Sequence, residues 1–223
     1  MDLEEFKKEV IRKELGIDEK FGNTLSFIDF GNMNYWYETD AKDEVGDILP
    51  TDKKLVVNIE KLKSFADLFS QSPRFYYGIN PQNRGSVGFI STVRNYFGKS
   101  KVFTKPIQKI KHHLKDEEAA LNTRSVNHDL EGRYVYIPKC NFDVEICVDA
   151  IRLLDKYETL CLFSSDADFI SLLNYIKTKG KKVILIKSGY VQHNLLKSAD
   201  IVIGAQDIKK YIAVKKQKSS LVS

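Results

Sequence analysis

The stretch Phe27-Ile28-Asp29-Phe30-Gly31-Asn32 decides the fold, because it has a counterpart late in the chain in Leu162-Phe163-Ser164-Ser165-Asp166-Ala167-Asp168-Phe169. In each, an apolar run with strand character stops and carboxylates follow at once. Short apolar runs bounded by turn formers suit strands buried on both faces, as in a parallel sheet. In an open parallel sheet the carboxyl ends of neighbouring strands border one crevice, where ligands bind. The two acidic clusters are therefore expected to meet across it. Two carboxylates at about 4 Å repel by roughly 4 kcal/mol at an effective dielectric near 20, so a cation is expected between them.

Outward from a first strand at Leu25–Phe30, strands are expected at 73–78, 101–104, 134–137, 159–163, 182–186 and 201–203. Helices are expected at 58–70, 85–98, 143–157, 168–179 and 193–198, with a last one from Gln206. Strands alternating with helices predict an α/β fold, a mostly parallel sheet with helices on both faces. Residues 1–21, with Leu3, Phe6, Val10, Ile11 and Leu15 among Glu and Lys, read as an appended amphipathic helix. It would pack against the domain or, in a homodimer, against a second copy of the chain. Residues 39–55 read as a loop, and 108–133, which are polar and poor in aromatics, as a loop or partly helical insertion. The main domain is expected to span 22–213, and the Lys- and Ser-rich residues 214–223 to be a disordered tail.

The bulk composition of 43% hydrophobic and 29% charged residues is that of an ordinary soluble globular protein. No stretch approaches the roughly 18 uninterrupted apolar residues of a membrane span. The charged start, Met1 to Lys20, excludes a secretory signal. Three cysteines (Cys140, Cys147 and Cys161) with no CxxC pair fit reduced thiols in a cytoplasmic protein. A net charge of +5 around an acidic pocket suits a polyanionic partner such as nucleic acid.

Asp29 closes the first strand and Asn32 follows it. If the chain turns into a helix there, both side chains reach the crevice, Asp29 as a ligand and Asn32 as an anchor for water or phosphate. The competing reading makes them helix caps or turn formers. Asp166 and Asp168 precede a helix, so one can cap its amides while the other holds an ion through water. On the expected 143–157 helix, Glu145, Asp149, Arg152 and Lys156 form a polar stripe, whereas Asp143 falls beside Ile146, Ala150 and Leu154. A carboxylate on an otherwise buried face at a helix start is a crevice candidate. Asp149 stays open between the cleft and a plain ion pair with Arg152. An all-oxygen ligand set suits Mg²⁺ or Mn²⁺, which makes metal-assisted phosphodiester chemistry the leading reading.

Other signals fail. Asp29-Phe30-Gly31 matches a kinase tripeptide with no catalytic-loop or glycine-rich motif beside it, and no Gly-x-Ser-x-Gly elbow occurs. His112-His113 lacks the i,i+4 spacing of a zinc helix. An aspartyl-phosphate phosphatase with Asp29 as nucleophile would need a second Asp where Gly31 stands. Trp36, Tyr35, Tyr37, Tyr76 and Tyr77 fit core packing and loop anchoring better than base stacking.

In order and spacing, several motifs resemble the NYN domain family, in its LabA-like branch of the PIN-like nucleases, from about residue 25 to 213. The motifs are Phe27 through Met33, Tyr76-Tyr77-Gly78, Thr104-Lys105-Pro106, Lys139 through Asp149, Phe163 through Phe169, Gly180 through Val183 and Leu195 through Asp200. The resemblance implies a PIN-like fold and cleavage of RNA with Mg²⁺ or Mn²⁺. It implies Asp29, Asp143, Asp149 and Asp166 as metal ligands, with Asp168 and Asn32 as further catalytic members. Lys105, Lys139 and Ser164 are expected to meet the nucleic acid. Ser165 and Cys140 stand where the family pattern has glycine, and a side chain at either could shift the backbone near phosphate. The alternative is a module of the same fold that binds RNA without turnover.

Overall fold

The computed structural model describes residues 3–114 and 126–218. The chain runs through helix α1 (Leu3–Glu14), strand β1 (Thr24–Asp29), a four-residue helix α2 (Phe30–Met33), β2 (Lys53–Val57), α3 (Ile59–Ala66), β3 (Arg74–Ile79), α4 (Arg84–Phe97) and β4 (Val102–Pro106). Next come β5 (Gln108–His113), β6 (Asn127–Asp129), β7 (Gly132–Lys139), α5 (Asp143–Arg152), β8 (Thr159–Phe163), α6 (Ile170–Thr178), β9 (Lys182–Lys187), α7 (His193–Lys197), β10 (Ile201–Gly204), α8 (Ala205–Ile212) and β11 (Ala213–Gln217).

Six strands form one sheet in the order β10-β9-β8-β1-β3-β4, and every neighbouring pair is parallel. The chain builds outward from β1 to β3 and β4 on one side, then returns to lay β8, β9 and β10 on the other. The order reverses between β1 and β8, which is the switch point where ligands bind in open α/β sheets. Register carries both acidic clusters to that edge, since Ile28 pairs with Phe163 and Asp29 with Tyr76.

Alternation along the strands explains the two core layers. Ile28, Cys161, Phe163, Ile184 and Ile186 face α3, α4 and α8 through Leu62, Phe65, Val93, Phe97, Ile208 and Ile212. Phe27, Leu160, Leu162, Val183 and Leu185 face α5, α6 and α7 through Ile146, Ala150, Leu173, Ile176 and Leu195. The expected α/β architecture with helices on both faces is thus observed. Ile11 and Leu15 seat α1 on the first layer, whereas its Phe6 and Val10 are exposed. No helix among the described residues is long and apolar enough to cross a membrane.

Three expectations need correction. Residues 39–55 are not loop to their end, because β2 begins at Lys53. The 108–133 segment is mostly strand where it is described: β5, β7 and β6 form a three-stranded antiparallel sheet, the arm, separate from the main one. Residues 115–125, including Asp116, Glu117 and Glu118, lie outside the described residues. Residues 214–217 are not part of a disordered tail, since β11 pairs antiparallel with β2 through Gln217; residues 219–223 lie outside the described residues.

Candidate active site

Burial and helix geometry bring four carboxylates to the β1–β8 switch point. Asp29, at the end of β1, caps α2: one carboxylate oxygen accepts the Asn32 backbone N–H at 3.4 Å, and the other accepts the hydroxyl of Ser164 at 3.1 Å. Ser164 is fully buried just past β8 and also accepts the Asp166 backbone N–H at 3.2 Å. Asp166 caps the following 3-10 turn through the Asp168 N–H at 3.0 Å. Asp143 opens α5, fixed by Asn141, which donates from its side chain at 2.6 Å and accepts the Asp143 N–H at 2.7 Å. Asp143, Asp166 and Asp168 can each offer an oxygen such that all three lie within 4.8 Å of one another.

The charges feel one another. Burial pushes the Asp29 carboxyl up to about 6; the bonds from Ser164 and Asn32 oppose the rise, and the charges of Asp143 and Asp166 add to it. Burial also raises Asp143. The Asn141 bond and Lys105 pull it down, and Asp166 and Asp168 push it further up. An all-oxygen group of acids held apart by their own repulsion, with flanking amides fixing their rotamers, fits a small divalent cation. Asp29, Asp143, Asp166 and Asp168 are the residues that could hold one.

Asp149 does not join them. It lies six residues along α5 from Asp143, about 9 Å at 1.5 Å per residue, and oxygens around one Mg²⁺ sit at about 2.1 Å from it. Its carboxylate is buried instead against the Arg74 guanidinium and the Tyr76 hydroxyl, both at 2.6 Å, with Arg152 on its other oxygen at 2.6 Å. Burial works against its charge, yet the bonds from Tyr76 and Arg74 hold it below the usual carboxylate range. Asn32 points inward too. Its oxygen accepts the Ser165 N–H at 3.0 Å and the Trp36 indole N–H at 3.2 Å, tying the loop after β1 to the loop after β8.

The two side chains that replace expected glycines are both engaged in packing between loops, and the Cys140 thiol still feels the charge of Asp29. Ser165 accepts the Ser188 N–H at 2.9 Å and donates to the Ser188 carbonyl at 3.0 Å, joining the β8 and β9 ends. Cys140 packs on Gly78, where an added Cβ would come within 2.7 Å of its own Cβ. Lys105 bonds Glu145 at 2.6 Å and rides over the Phe142 ring at 4.7 Å. With Lys139, Gln108, Cys140 and Asn141 it lines a cleft of about 320 Å³ at the foot of the arm.

Some partners were hidden in the sequence. The Asn141-Phe142-Asp143 spacing is the signal of an Asx turn, legible in principle. Arg74 in an otherwise apolar strand called for a buried anion, but nothing in the sequence says that the anion is Asp149.

The comparisons agree with this architecture. The family model for the NYN domain matches residues 24–206. Over 97 residues the chain is 26% identical to "Low amplitude and bright protein LabA" of Synechococcus elongatus, a match that covers 43% of this chain and 52% of that protein. The match thus spans about half the length of that relative. A crystal structure of a Vibrio parahaemolyticus protein of unknown function has the same fold at TM-score 0.56 and 18% identity, covering 85% of this chain and 95% of its own. With the family pattern matched across the whole of the central sheet, the chain belongs to the NYN domain family.

Proposed function

We propose that the protein is a ribonuclease that hydrolyses RNA phosphodiester bonds at the β1–β8 switch point with Mg²⁺ or Mn²⁺. The observation that carries this reading is the convergence of Asp143 at the start of α5 with Asp166 and Asp168 after β8, to within 4.8 Å beside the half-buried Asp29. Such a cation, when bound, supplies a Lewis acid and lowers the pKa of its water toward neutrality. The chain supplies the rest. Asp143, Asp166 and Asp168 would hold the ion, and Ser164 and the Asn32 N–H fix both oxygens of Asp29 beside them. Lys105 and Lys139 stand beside Asn141 at the cleft, where phosphate charge would enter. In this reading Asp149 is a positioning residue that anchors α5 to β3, and Asn32 is another that locks the two loops together.

The second reading, an RNA-binding module without turnover, draws on the Lys105–Glu145 pair, which leaves one cation fewer for the transition state. Labelled single-stranded RNA incubated with Mn²⁺ decides between them. We expect cleavage by the native chain and a loss of at least about 100-fold in Asp166→Asn, the size expected when electrostatic stabilisation is removed. Equal cleavage by both proteins would sink the nuclease reading, and binding without cleavage would favour the module.

A further inference from the structure

The arm packs apart from the two main core layers: no residue of β5, β6 or β7 belongs to either, and Val135 of β7, on the face opposite Tyr136, is its one fully buried apolar side chain among the described residues. It is rooted at the candidate site by both feet. β5 starts two residues after Pro106 closes β4, and β7 ends at Lys139, shortly before Asp143 opens α5. Strand register places Lys109 opposite Pro138, Lys111 opposite Tyr136 and His113 opposite Tyr134. Since side chains alternate, these six share one face, Lys109, Lys111 and His113 alongside Pro138, Tyr136 and Tyr134, while Lys139 and Gln108 lie on the other. All six residues of β5 are exposed, as is Tyr136, at 45%. Lys111 rides over the Tyr134 ring at 4.4 Å, and Tyr134 and Tyr136 meet edge-to-face at 5.4 Å. Lys111 pairs with Asp129, and His113 with Glu131 at 3.1 Å. Lys109 has no acidic partner among the described residues and is left to meet an anion on this face.

We propose that this open face is a binding platform for single-stranded RNA, stacking unpaired bases on Tyr136 and Tyr134 while Lys109 and Lys111 meet the phosphates. It rests on and deepens the ribonuclease reading by naming a surface that would hold the substrate, on an arm whose feet border the acids. The physical basis is that aromatic side chains stack any base, and a row of cations tracks the backbone beside them. A paired duplex hides its base faces, so single strands are preferred over double strands.

The test is fluorescence anisotropy of a labelled single-stranded RNA with the full chain in EDTA, where no turnover is needed. We expect Tyr136→Ala to weaken binding about tenfold, a size typical of one lost stacking contact. Tyr136→Phe, which keeps the ring, should bind as the native chain does. Lys109→Glu should weaken binding as well, and more at low salt than at high salt. Unchanged affinity in Tyr136→Ala and Lys109→Glu would overturn the platform, as would an equal loss in Tyr136→Phe or failure of the native chain to bind. Thermal melts of each variant separate a lost contact from a lost fold. Because this readout excludes metal, an absence of cleavage in Mn²⁺ alongside ring-dependent binding would sink the ribonuclease reading and leave the platform standing.

Discussion

Asp29 is the carboxylate that burial opposes most, and it gives the sharpest stability prediction. Its ordinary value of 3.8 is raised to about 6, chiefly by burial. Between roughly pH 4 and pH 6 the native state therefore holds a proton that the unfolded chain has lost, so this residue makes stability fall as pH rises through that window. At neutral pH the cost in the metal-free protein is about 3 kcal/mol at 1.36 kcal/mol per unit. Asp29→Asn should be more stable than the native chain at pH 7, by up to that amount, with the advantage shrinking toward pH 4. Denaturant titrations at both pH values check this, and a difference independent of pH would contradict it. Asp149 has the opposite sign, because Tyr76 and Arg74 hold it charged. Removing one partner of a buried pair costs roughly 3–5 kcal/mol. Asp149→Asn should therefore melt well below the native chain yet bind Mn²⁺ with unchanged stoichiometry in calorimetry; loss of the metal without loss of stability would make it a ligand. Asp29, Asp143, Asp166 and Asp168 were legible as strand-end and helix-start acids. The fate of Asp149 was not, since the helix stripe is the same whether it faces solvent, the cleft or Arg74.

The strands and helices of the central sheet were readable because each carries one period. β8 and β9 are unbroken apolar runs, and α3 and α6 repeat apolar residues at helical spacing. Of the arm only β7 was legible, at 134–137; β5, β6 and the β2–β11 pair were not, because their strands are half polar and exposed, so no apolar alternation marks them. Pairing alone defines such elements. The foot of the arm is the tightest of these joints. A methyl group on Gly78 would lie 2.7 Å from the Cys140 Cβ, 2.9 Å from its sulfur and 2.8 Å from Ile107. Gly78→Ala should destabilise the chain by about 1–3 kcal/mol, the usual cost of overpacking, and tilt the arm away from the acids. Adding Cys140→Gly, which removes two of the three contacts, should restore part of both stability and RNA cleavage. No recovery in the double variant would show that the close approach does not govern this joint.

At the scale of the whole molecule, topology joins chemistry that the sequence keeps far apart. The strand order reverses once, between β1 and β8, and the chain sends Asp29, Asp143, Asp166 and Asp168 to that one place. The pattern of alternating strands and helices, together with the acids at strand ends, made this convergence readable in advance. The arm's attachment and the direction of Ser165 and Cys140 depend on long-range packing that no local pattern encodes. The account stands on the acids acting together as a cation site, and a crystal soaked in millimolar Mn²⁺ tests that most directly. We expect anomalous scattering within about 2.0–2.4 Å of oxygens from at least Asp143 and Asp166, and none beside Asp149. A crystal in which those side chains bind no manganese, or bind it only at Asp149, would contradict the account.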